Sequence, residues 1–154
     1  MSERLRQELQ QSRAFGSLEE ATFLSLQRTA SLWMQGLAQH LRPYGLTPTQ
    51  YNALRILRGA HPGSLTCGEI GNRMVNVVPD VTRIADRLVA HRRAWKARDE
   101  FDRRVVKVEI SGRGLELLAS LDEKVLEWLR ELLSPLEEDE MRTLCTLMEK
   151  ARQS

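Results

Sequence analysis

The chain has 154 residues, 42% apolar and 29% charged, which allows one ordinary domain with or without an extension. Its longest apolar runs are only a few residues, far short of the ~20 that a membrane-spanning helix needs, and the opening MSERLRQELQQSR has no apolar stretch behind its charges, so no secretory signal is read there. Cys67 and Cys145 have no CxxC partner and no neighbouring histidine, which argues against a disulfide framework or structural zinc and for a reducing, cytoplasmic setting.

The net charge of +2 is a sum over unlike regions. Residues 1–79 carry eight Lys/Arg against five Asp/Glu, residues 80–114 ten against six, and residues 115–150 four against ten. The basic middle points toward an anionic partner and the acidic C-terminal region points away from it. Alone, such a run is also what an ordinary solvated face looks like.

Residues 1–17 offer only Leu5 and Leu9 as a helical pair and read as a mobile arm. Phe23, Leu26, Ala30, Trp33, Leu37 and Leu41 then recur at spacings of three and four, which predicts a long amphipathic helix ended by Pro43 and Gly45. Thr47-Pro48 reads as a cap followed by proline at the first helical position, opening a helix to about Ala60 with Tyr51, Leu54 and Leu57 inward. His61-Pro62-Gly63 is a loop by composition. Thr66-Cys67-Gly68-Glu69 fits a capping box and predicts a short helix over 66–74 with Ile70 and Met74 inward.

Asn76-Val77-Val78-Pro79 interrupts that helix, and Pro79 is placed to open the next, over 78–91. There Val81, Ile84, Ala85, Leu88 and Val89 form an apolar face, opposite Asp80, Thr82, Arg83, Asp86 and Arg87. Two short helices across a four-residue break make a helix-turn-helix candidate. A helix that buries one side and presents small polar and basic groups from its first turns fits a major groove ~12 Å wide. Asp80, Thr82 and Arg83 are placed for base edges, and Arg87 for phosphate.

Residues 93–110 change period. Val106, Val108 and Ile110 share parity against Lys107 and Glu109, and Arg93-Ala94-Trp95-Lys96-Ala97-Arg98 supplies a partner strand across a polar connection. Arg98, Arg103 and Arg104 flank the turn of this basic hairpin and suit a narrow minor groove. Asp99 and Asp102 are placed to orient those guanidiniums by bidentate pairing. Ser111 caps a second long helix with Leu117, Leu121, Val125, Trp128 and Leu132 on one face. Ser134-Pro135 separates it from a last helix with Met141, Leu144, Met148 and Ala151 inward. The fold class is mainly α with a small β-hairpin wing, a winged helix-turn-helix flanked by long N- and C-terminal helices.

With these stretches in view, the chain resembles the MarR family of winged-helix transcriptional regulators over nearly its whole length. The matching segments are LTPTQYNALRIL (46–57), VPDVTRIADRL (78–88) and ARDEFDRRVVKVEISGRG (97–114). The last is the most diagnostic, an Arg-Asp-x-x-Asp-x-Arg wing at Arg98, Asp99, Asp102 and Arg104 followed by Ile110-Ser111. The resemblance implies a homodimer formed by helices over 18–45 and 111–154, with a DNA-binding lobe over 46–110 on a pseudo-palindromic double-stranded operator. It also implies that Arg104 enters the minor groove, that Asp102 orients the wing, and that small anionic or phenolic effectors modulate DNA binding. A pocket between the long helices and the lobe would involve Trp33, His40, Tyr51 and Arg55.

One segment departs from the family. Where members have a glycine and two apolar residues before the wing, this chain has His91-Arg92-Arg93-Ala94. Either the wing is repositioned, or Arg92 and Arg93 add phosphate contacts. The departure motivates the rival readings: a helical protein–protein interaction module, or a small-molecule or redox sensor with weakened DNA binding. His40, His61 and His91 are too scattered for a metal site, the two cysteines read as inert thiols, and no catalytic constellation or cofactor motif stands out.

Overall fold

A computed structural model describes residues 3–99, 102 and 104–153. The elements run α1 (Glu3–Glu8), α2 (Leu18–Leu41), a 3-10 turn (Arg42–Tyr44), α3 (Pro48–Ala60), β1 (Leu65–Thr66), α4 (Cys67–Arg73), α5 (Val81–Ala90), β2 (Ala94–Arg98), β3 (Val106–Ile110), α6 (Gly112–Leu133) and α7 (Glu138–Ala151). No described helix is long and apolar enough to cross a membrane.

Local chemistry sets most of these boundaries. Thr47 Oγ1 accepts the Gln50 N–H while Gln50 Oε1 accepts the Thr47 N–H, both at 3.2 Å, with Pro48 opening α3. Thr66 and Glu69 repeat the device at the start of α4, at 3.2 and 2.8 Å. These bonds from Thr66 hold the Glu69 carboxyl below its usual range. Gly45, left-handed at φ 61°, closes the turn after α2.

The core lies in the middle of the chain. Leu54 and Leu57 of α3, Ile70 of α4, Leu88 of α5, Val108 of β3 and Leu118 and Leu121 of α6 are fully buried together with Leu41 at the end of α2. Of the stripe expected on α6, Leu121 and Val125 are buried and Leu117 is only half-buried, while Leu118, outside that stripe, is fully buried and widens the face toward it. Arg58 grips Asp122 with both guanidinium nitrogens, at 2.8 and 3.0 Å, fastening α3 to α6.

The wing hairpin has the expected parity: Lys96 faces Val108 and Arg98 faces Val106 across β2 and β3. A third strand, β1, adds to the other edge of β3, with Leu65 opposite Val108. Two residues are too few to show alternation, so the sequence carries no visible signal for β1. Helix α5 begins later than expected. Pro79 stays in the break, and Asp80 is the N-cap, its Oδ1 accepting the Arg83 N–H at 2.9 Å.

Two further differences concern the outer helices. Phe23 and Leu26, expected inward, are 60% and 51% exposed, and Leu18, Leu32, Leu126, Leu129 and Leu147 are also open. On α7, Met141, Leu144 and Met148 are half-buried and Ala151 is exposed. The predicted periodicity is present, but a single chain does not cover it. Helix α1 falls inside the stretch read as a mobile arm; its Leu5 is buried, and Glu8 lies 3.8 Å from Arg28 of α2.

Candidate nucleic-acid interface

Helix α5 buries Ala85 and Leu88 and turns Thr82, Arg83, Asp86 and Arg87 to solvent. Neither Arg83 nor Arg87 has a side-chain partner among the described residues. Asp80, expected to reach base edges, caps the helix through its Oδ1. Asp86 pairs with Lys96 Nζ of β2 at 2.5 Å, which neutralises the one carboxylate at the centre of this face and ties helix to wing. No sequence pattern announces that pair, because it spans the turn between two kinds of element.

That turn is built from the departing segment. Arg92 adopts φ 57°, the left-handed position that normally takes glycine. The Arg92 N–H donates to the Val89 carbonyl and the Arg93 N–H to the Leu88 carbonyl, both at 2.8 Å, which completes a Schellman cap. Arg92 therefore holds the glycine position at a cost of about 1 kcal/mol.

Arg93 folds back into the protein rather than out to solvent. Its Nη1 donates to the Gly45 carbonyl at 2.8 Å and its Nη2 to the Tyr44 carbonyl at 2.7 Å. Burial, with a smaller push from Arg113, lowers its pKa from the usual arginine value. A guanidinium thus caps the end of the turn after α2 from the start of the wing. Lys124 of α6 reaches the same corner, donating to the Tyr44 hydroxyl at 2.8 Å. At this segment Arg93 is turned inward and spent on two main-chain carbonyls, the geometry of a strut between the wing and the corner after α2.

At the wing tip, Arg98 and Arg104 are exposed and lack side-chain partners among the described residues; Arg103 lies outside the described residues. Of the guanidiniums that the two carboxylates are expected to clamp, Arg98 and Arg104 are not paired with them, and Arg103 is not among the described residues. Asp99 pairs with Lys107 and its Oδ1 accepts the Asp102 N–H at 3.1 Å, while Asp102 Oδ1 accepts the Arg104 N–H at 2.9 Å. Both acids shape the turn through its main chain, which fixes where Arg104 leaves the backbone.

Of the four residues grouped as a pocket, Tyr51 and Arg55 lie together, and neither cleft described below is lined by all four. His40 stacks on Trp128 at 5.9 Å, and Arg55 lies 5.8 Å over the Tyr51 ring. Burial raises the Tyr51 pKa. Trp33 borders a different cleft, of about 380 Å³, beside α1. A larger cleft of about 560 Å³ opens where Arg87 and His91 of the α5 end face Arg42, Thr47 and Gln50. Its lining comes from two stretches far apart in the chain, 38–50 and 87–91, so periodicity could not have assembled it. Cys67 is half-buried and Cys145 exposed, both as free thiols.

A capped two-helix unit, an outward cationic helix face and an arginine-tipped hairpin define a winged helix-turn-helix. No family model matches the chain. A MarR transcription factor from Planctomyces limnophilus is 35% identical, over 88% of this chain and 98% of that one, with a TM-score of 0.68. A mutant MarR from E. coli complexed with operator DNA superposes with a TM-score of 0.74 at 24% identity, over 82% of this chain and 89% of its own. The HTH-type transcriptional regulator MhqR of Bacillus subtilis (strain 168) is 27% identical over 128 residues, 83% of this chain and 86% of its own length. The chain belongs to the MarR family of winged-helix transcriptional regulators.

Proposed function

We propose that the protein is a cytoplasmic homodimer that represses transcription from a pseudo-palindromic operator, with α5 of each protomer in the major groove and each wing at the minor groove. The observation that carries this reading is the set of exposed cationic side chains with no side-chain partner among the described residues. Arg83 and Arg87 project from α5, Arg98 and Arg104 from the wing, and the Asp86–Lys96 pair joins the two elements. Thr82 and Arg83 address base edges, Arg87 and Arg98 the phosphates, and Arg104 the minor groove. Arg103 is assigned to the same wing contact on sequence grounds.

Dimerisation is supported by the apolar side chains left open on α2, α6 and α7, including Phe23, Leu26, Leu126 and Leu147. These helices, over 18–45 and 111–154, form the dimerisation part, and residues 46–110 form the reading lobe. The structural relatives include BpsR of Bordetella bronchiseptica, whose DNA binding is regulated by 6-hydroxynicotinic acid. A small anionic or phenolic effector is accordingly assigned to this chain too. The cleft bearing Arg42, Arg87 and His91 suits it, because an occupant there touches the reading helix itself. Such a ligand acts by its differential affinity for lobe spacings that do and do not match the operator.

Fluorescence anisotropy on the DNA upstream of the protein's own gene, at two salt concentrations, tests the reading. The expected result is sequence-selective binding with a Kd of roughly 10⁻⁸ M or tighter, weakening steeply with salt. Binding that is absent, or equal on scrambled DNA, overturns it.

A further inference from the structure

The break between α4 and α5 holds two unusually open apolar side chains. Val77 is 101% exposed and Val75 83%, more than any other large apolar residue described. The segment is nevertheless anchored on both sides. Met74 packs on the core, the Val75 N–H donates to Asn52 Oδ1 of α3 at 2.9 Å, and Asp80 caps the helix that follows. The loop thus presents its valines outward from a defined backbone.

Single exposed apolar residues are ordinary on a protein surface. The position of these two is what singles them out. They lead directly into the first turn of α5, the end of a recognition helix that enters the major groove when a helix-turn-helix docks. Every polar feature of a base edge there is a hydrogen-bond donor or acceptor, which a valine cannot use. The apolar feature is the C5-methyl group of thymine.

We infer that Val77, with Val75 beside it, is a specificity-determining contact to thymine methyl groups in each operator half-site. The inference rests on the regulator reading above and adds an apolar contact to the hydrogen-bonding readout assigned to Thr82 and Arg83. A valine carries no charge, so its contribution discriminates thymine from cytosine without adding to the salt-dependent attraction to phosphate.

The test uses the upstream duplex made twice, once with thymidine and once with deoxyuridine, which removes only the C5-methyl groups. Wild type and Val77→Ala are titrated against both by anisotropy, and a thermal melt verifies that the variant folds. Wild type is expected to prefer the thymine duplex by about fourfold for each contacting methyl, hence roughly sixteenfold with one such methyl in each of two half-sites. In Val77→Ala that ratio falls toward one, with the salt slope unchanged. A wild-type ratio of one, or an undiminished ratio in Val77→Ala, overturns the inference and leaves the regulator reading standing. Failure of wild type to bind the thymine duplex at all overturns the regulator reading, and this contact with it.

Discussion

Gly114→Ala is expected to destabilise the protein by about 3 kcal/mol, the upper part of the usual range for forcing an atom into a filled site. A Cβ at position 114 would lie 2.3 Å from the Arg93 carbonyl oxygen and 2.8 Å from Ile110 Cγ1. The first neighbour is main chain and cannot swing aside. It is also held in place, because the same carbonyl accepts the Ser111 N–H at 3.1 Å. Ser111 adds two bonds, donating from Oγ to the Arg92 carbonyl at 2.7 Å and accepting the Gly114 N–H at 3.0 Å. The start of α6, the end of α5 and the first wing strand therefore meet at one junction with no slack. Urea denaturation checks the prediction: the midpoint should fall while the slope holds. A loss below 1 kcal/mol would show that the junction yields.

Arg93→Ala is expected to cost about 2 kcal/mol of stability, the scale of losing hydrogen bonds from a charged donor, and about tenfold in operator affinity. The affinity loss follows from position. Arg93 joins the corner after α2 to the segment between α5 and β2, so without it the reading helix and wing are less firmly oriented on the dimerisation helices. Its distinguishing mark is the salt dependence. A lost phosphate contact lowers the slope of log Kobs against log salt by about 1, whereas a lost strut leaves the slope as it was. Titrations at several salt concentrations, well below the melting temperature, separate the two. A reduced slope would place Arg93 on the DNA and contradict the strut; unchanged affinity would show that the corner holds without it.

What could be read in advance depended on the range of the interaction. The Thr47 and Thr66 caps, the two-sided face of α5 and the parity of the wing strands are set by residues within a few positions of one another, and all are present. The Arg-Asp-x-x-Asp-x-Arg wing was legible as a motif, although its acids grip main-chain N–H groups and Lys107 where a clamp on guanidiniums was expected. Features that depend on distant partners were hidden. Arg93 meets carbonyls 48 and 49 positions away, and the cleft at Arg42 and Arg87 joins two distant stretches of the chain. Asp80 caps α5 through one carboxylate oxygen; an aspartate one residue before a helix serves equally as cap and as reader, and pattern alone does not choose. The segment that motivated a non-DNA-binding reading, His91 to Ala94, supports an intact Schellman cap and an anchored wing.

The central claim is that two copies of α5 read two half-sites together. Hydroxyl-radical footprinting on the upstream DNA measures this most directly. The account predicts protection with two-fold symmetry, its half-site centres about 10 base pairs, or ~34 Å, apart or a multiple of that. A single unpaired patch of protection, or none, would contradict it.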